Sequence, residues 1–137
     1  MPFEVVDHTA DIGIRVWAGD LPTLLAESAR GMFEQIADLE KVASDPIGTF
    51  CCAGIDETDL VINMLRELLH WHVGKGMLIK KAVVESLNGL ALTGRAWGEH
   101  FDPARHTIRN EIKAVTYAGG DVRKTERSLE VSVIFDV

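Results

Sequence analysis

Hydrophobic and polar positions follow two rhythms along this chain, and the rhythms divide it into elements. Phe3 to Val6 reads as a short strand. Ile12, Ile14 and Val16 alternate with Gly13, Arg15 and Trp17, the period of two that gives a strand one buried face. "GDLP" then opens a helix. Asp20 is a natural N-cap, and Pro22 falls in the first turn, where amide donors lack partners anyway. Leu21, Leu24, Leu25, Met32, Phe33 and Ile36 recur at helical spacing and predict an end near Asp38. A strand-rich segment follows from Val42 to Ile55, broken by Pro46. "DETD" starts a second helix, with Asp56 as cap and Glu57 and Asp59 at the positive end of the helix dipole. Its apolar stripe runs through Leu60, Met64, Leu65, Leu68 and Leu69 to His72, and Gly74 and Gly76 are expected to end it.

The rest of the chain returns to the rhythm of strands. "MLIKKAVVESL" and "LALTGRAWG" flank Asn88-Gly89, the strongest short hairpin signal. "FDPARH" is a loop, and "TIRNEIKAVTY" and "SLEVSVIFDV" are two further strands around Gly119-Gly120. Strands outnumber helices, and the late ones can pair as hairpins. The expected fold class is α+β: a single domain over residues 1–137, with a mainly antiparallel or mixed sheet and two helices packed on one face.

Composition narrows the function. A chain of 137 residues with 47% hydrophobic and 26% charged residues fits one soluble globular domain. No apolar run approaches the ~20 residues a membrane helix needs. The start "MPFEVVDH" has neither a basic nor a long apolar region, so the expectation is a cytoplasmic protein without a membrane role. A formal charge of -7 argues against strong direct nucleic-acid binding, because phosphate neutralisation supplies most nonspecific affinity. It leaves room for a cation or a basic protein. Cys51 and Cys52 are the only cysteines, and strand neighbours point to opposite faces. They read as unpaired strand thiols in a reducing compartment, too few for a zinc framework.

Familiar catalytic patterns are missing. "HVGKGM" lacks the spacing of a phosphate-binding loop, and neither HExxH nor CxxC occurs. His70 and His72 lie about 200° apart around a helix and cannot chelate one ion. One surface and one partly buried histidine is the expected arrangement. His100 and His106 flank the Asp102-Pro103 loop, where loop solvation is the expected role. The acids at the strand ends are different. Asp11 precedes one hydrophobic strand, and Asp136 ends another. If those ends lie together, they form a carboxylate pair suited to Ca²⁺, Mg²⁺ or Mn²⁺, and Val137 adds a carbonyl and a terminal carboxylate. Spacing alone equally allows Asp11 to cap a turn and Asp136 to be a frayed end.

"HTADIGIRVWA", "ARGMFE", "DETDLVINMLRELL", "EIKAVTY" and the terminal "VIFDV" together resemble the archease family, in the family's order and over nearly the whole chain. The resemblance implies a small cytoplasmic protein that assists the GTP-dependent RNA ligase of tRNA splicing. That ligase joins RNA ends after guanylylation of its own histidine, using Mn²⁺, and the accessory protein promotes guanylylation and multiple turnover. It implies metal ligands at Asp11 and Asp136 with Val137 beside them, and a functional lysine at Lys113 of "EIKAVTY". His8 is a further candidate, to orient a carboxylate or hold the loop. The divalent ion is expected to be Ca²⁺ in isolation, with Mn²⁺ or Mg²⁺ as alternatives. Two positions depart from the family pattern. Ala118 follows Tyr117 where histidine is frequent, and Leu129 stands near where tryptophan often begins the last strand.

On this reading the chain is an activator and not an enzyme. Two other functions compete with it. A metal-dependent phosphoesterase would use Asp11 and Asp136, but no base–nucleophile set accompanies them. A general chaperone-like module would protect unrelated clients without needing Asp11.

Overall fold

The computed structural model describes residues 2–8 and 11–137, apart from the side chains of Asp7 and His8. Among the described residues, eight strands and two α-helices follow one another in the order β1 (Phe3–His8), β2 (Asp11–Ala18), α1 (Leu21–Ile36), β3 (Asp45–Ala53), α2 (Glu57–Lys75), β4 (Met77–Asn88), β5 (Ala91–His100), β6 (Ala114–Thr116), β7 (Arg123–Lys124) and β8 (Leu129–Asp136). The fold is α+β, as the rhythms predict. The strands divide between two antiparallel sheets. One has the order β1-β2-β8-β6 with β7 also on β8, and the other has the order β3-β5-β4. Periodicity identifies strands but not their partners, so the division into two sheets is a tertiary result.

Each helix touches both sheets: α1 lies against β4 and β2, and α2 lies against β3, β4 and β6. One core results. Leu24, Met32 and Phe33 of α1 and Leu60, Leu65 and Leu68 of α2 are fully buried with Ile14, Val16, Val133 and Phe135 of the first sheet. Each such side chain contributes about 1.5–3 kcal/mol relative to exposure.

The caps follow the expected chemistry. Asp20 Oδ1 accepts from the Thr23 amide at 2.8 Å, and Asp56 Oδ1 accepts from the Asp59 amide at 2.8 Å. α2 runs through Gly74 and stops at Gly76, whose φ of 69° suits glycine and whose amide donates to the His72 carbonyl. α1 stops at Ile36, because Ala37 is already extended and bridges to Ile108.

Three boundaries differ from expectation. Asn88 pairs with Ala91, so the hairpin turn is Gly89-Leu90, with positive φ at Gly89 alone. Glycine at the first central position is the primed turn that matches strand twist. Pro46 lies inside β3 and pairs with Trp97, with a register shift before Gly48. β3 is an edge strand, where a missing amide donor is tolerated. Most of "TIRNEIKAVTY" is not strand. The Arg109 amide donates to the Ile36 carbonyl at 2.7 Å and Asn110 Nδ2 to the Gln35 carbonyl at 2.8 Å, which ties this stretch to the end of α1.

Candidate functional site

The core decides which acids meet. In β2 and β8, Ile14 faces Val133 and Val16 faces Val131, all buried. That register is strongly specified, since a one-residue slip would turn these side chains to the other face. The same register sets Asp11 directly opposite Asp136, on the sheet face away from Ile14 and Val133. Asp11 is half-buried and Asp136 exposed. The two strand ends therefore lie together.

Two neighbouring strands extend this row. β1 pairs His8 with Asp11 through the backbone, while the His8 side chain, a candidate from the sequence, lies outside the described residues. On the other side β6 pairs Ala114 with Asp136, and the Lys113 amide donates to the Asp136 carbonyl at 2.7 Å. Lys113 is exposed, and Val137 follows the row at 39% exposure. A groove of about 550 Å³ adjoins Lys113, lined by Val73, Phe101, Ile108 and Ile112.

The donor set at this end is made of hard oxygens. Like charges directly opposite across an antiparallel pair repel, and a cation between them converts that repulsion into attraction. Ca²⁺, Mg²⁺ and Mn²⁺ favour such donors. Among the described residues, no three His, Cys, Asp or Glu side chains gather as a metal-holding group. A cation here would be held by the two carboxylates, by oxygens of Val137 and by water. The residues fit a hydrated hard cation and not a closed structural site.

The other candidates are resolved individually. His70 is exposed and His72 half-buried, with His72 Nδ1 2.9 Å from the Met77 carbonyl. Cys51 is exposed and Cys52 half-buried, on opposite faces of β3, and burial pushes the Cys52 thiol up to about 11. No helix among the described residues is long and apolar enough to cross a membrane.

The expected solvation of His106 is wrong. His106 is 4% exposed. Its Nδ1 accepts from the Asp102 amide at 2.9 Å, and its Nε2 lies 3.0 Å from Glu99 Oε2 and 3.1 Å from the Lys41 carbonyl. The loop folds back so that His106 fills a polar slot left by neighbouring segments, a closure that no local pattern reveals. The Glu99 carboxylate also accepts from Arg105 and from the Ala43 amide. Arg66 and Tyr117 were likewise invisible as partners in the sequence. Arg66 Nε and Nη2 donate to the Val115 carbonyl at 3.1 and 3.0 Å, and the Tyr117 hydroxyl donates to Asp59 Oδ1.

Comparison with known proteins agrees with this architecture. Residues 3–137 match the Archease protein family. The chain is 34% identical to Protein archease of Methanopyrus kandleri, with 100% of both chains covered. It is 36% identical to Protein archease of Sulfurisphaera tokodaii over 84% of each. The solution structure of protein 1598 from Methanobacterium thermoautotrophicum superposes with a TM-score of 0.82 at 30% identity, covering 99% of both chains. A crystal structure from Thermotoga maritima, described as an archease and possible chaperone, superposes with a TM-score of 0.61 at 22% identity, covering 96% and 94% of the two chains, a likeness that speaks for the fold. The chain belongs to the archease family.

Proposed function

We propose that this chain is a cytoplasmic accessory protein of RNA ligation, which promotes guanylylation and multiple turnover of a GTP-dependent tRNA-splicing ligase and is not itself the ligase. The observation that carries the reading is the opposition of Asp11 and Asp136 beside Lys113, at one end of a sheet whose register is set by the core. Asp11, Asp136 and Val137 would hold a divalent cation. When bound, the ion supplies charge neutralisation near a phosphate, the main lever in phosphoryl and nucleotidyl transfer. Asp11 and Asp136 present their charge at an open end, where it complements a positively charged nucleotide site on the ligase. Lys113, tied through its amide to the Asp136 carbonyl, extends a cation beside them toward the same partner.

The test is a guanylylation assay of the purified ligase with GTP and Mn²⁺, with and without this protein. Faster ligase–guanylate formation and repeated ligation cycles are expected. No change in either rate would defeat the reading. Metal-dependent hydrolysis of generic phosphodiesters by the isolated protein would favour a phosphoesterase, and protection of unrelated clients independent of Asp11 would favour a chaperone.

A further inference from the structure

β6 is a short strand with one strand neighbour. It has three residues, and among the described residues its only strand partner is β8. A segment this short gains few ladder hydrogen bonds, yet it directly follows Lys113, whose amide fixes the Asp136 carbonyl. Something besides the ladder has to hold it. The holding group comes from α2. The Arg66 guanidinium donates both Nε and Nη2 to the carbonyl of Val115, the middle residue of β6. It also lies 4.9 Å from the centre of the Tyr117 ring, just past the strand. Tyr117 is tied in turn to Asp59 of α2, whose other oxygen accepts from the Ile55 amide at 3.0 Å and from Asn63 at 3.2 Å. Arg66 therefore occupies the place at Val115 that a further strand would fill in a wider sheet.

We infer that Arg66 is a positioning residue for the Lys113–Asp136 end of the site. It fixes β6 on α2 and so holds the Lys113 amide on the Asp136 carbonyl, at the edge of β8 away from β2, steadying a position that the β2–β8 register has already set. The inference rests on the proposed cation site. Arg66 touches no ligand itself, and it acts through Val115 and the two following links of chain and hydrogen bond. Outer residues that orient ligands typically cost 10–100-fold in metal affinity when removed. An electrostatic role predicts the opposite sign. Removing a positive charge from the neighbourhood of two carboxylates would strengthen cation binding, and more so at low salt.

The experiment compares the wild type, Arg66→Met and Arg66→Lys. Ca²⁺ and Mn²⁺ affinities are measured by calorimetry, and amide hydrogen exchange is followed at Lys113 and Thr116 in metal-free buffer. The expected result for Arg66→Met is faster exchange at both amides and affinity weaker by about tenfold or more. Arg66→Lys keeps the charge but not the two-donor fork, so partial recovery of both readouts is expected. Unchanged exchange at Lys113, or Arg66→Met binding cations as tightly as the wild type or tighter, would overturn the inference while leaving the cation site standing. A wild type that binds neither ion defeats the site reading, and the inference falls with it. Arg66 is exposed, and a shift of the whole unfolding transition is read separately from the local exchange.

Discussion

His106 Nε2 lies 3.0 Å from Glu99 Oε2, and the pair joins the loop after β5 to the turn before β3. Because Nδ1 accepts from the Asp102 amide, the ring hydrogen sits on Nε2, facing Glu99 and the Lys41 carbonyl. The Glu99 side chain is 14% exposed. Arg105 first, then the Ala43 amide and more weakly His106, hold its carboxyl at about 2 instead of 4.5, against the opposing effect of burial. A depressed carboxyl contributes stability that is complete above its unfolded pKa and is lost as pH falls through the folded one. Thermal melts of the wild type and Glu99→Gln should therefore differ most above about pH 5 and converge toward pH 2. A constant gap across that range would remove Glu99 from the acid response. His106→Ala, which empties a buried position and takes a partner from the Asp102 amide, Glu99 and the Lys41 carbonyl, should cost about 2 kcal/mol in denaturant titrations.

Asp11→Asn and Asp136→Asn keep the shape of each side chain and remove one charge from the opposed pair. Each should weaken Ca²⁺ and Mn²⁺ binding by about tenfold or more, since a charged oxygen ligand is replaced by a neutral one. In metal-free buffer neither should lower the melting temperature, because the substitution relieves repulsion between like charges directly opposite. Calorimetry and melting of the same samples give both values. Unchanged affinity in both variants would leave the site without support.

Val137 separates coordination from packing. A neutral two-residue extension displaces the carboxylate from Val137 and adds bulk beside Asp136. It should reduce cation affinity and ligase stimulation while leaving the metal-free melting temperature nearly unchanged. Val137→Ala retains the carbonyl and carboxylate and should be milder. The side chain is 39% exposed, so little packing is lost. An extended protein that stimulates the ligase fully, together with a destabilised Val137→Ala, would remove Val137 from the site.

Lys113→Met distinguishes partner contact from metal binding. The side chain is exposed and the backbone amide that holds Asp136 is kept, so stability should stay within experimental scatter, and cation affinity should hold or rise slightly because a positive charge beside the carboxylates is removed. Stimulation of ligase guanylylation should fall steeply, with the half-saturating protein concentration rising. Full stimulation by this variant would return Lys113 to the role of a solvated strand lysine.

Sequence and tertiary structure contribute differently to these conclusions. Residues acting through local rules were legible in the sequence. Asp20 and Asp56 cap helices because the donor and acceptor lie three residues apart. The apolar stripe of α2 and the alternation of Ile14 with Val16 depend on a period that the chain itself carries. Even so, local rules misplaced the turn at Gly89-Leu90 by one residue and extended the strand before Lys113 too far. The wrong strand follows from α1, whose terminal carbonyls recruit Arg109 and Asn110 across a long loop. For the site, the sequence supplied its acids: hydrophobic strands that begin at Asp11 and end at Asp136 name two carboxylates and leave open whether they meet. Only the pairing of β2 with β8 brings them opposite each other, since strand partners are chosen by burial over the whole core. Arg66 on Val115 and His106 on the Lys41 carbonyl belong to the same class. Each pairs groups far apart in the chain, whose association depends on closing long loops, and no short pattern encodes that closure.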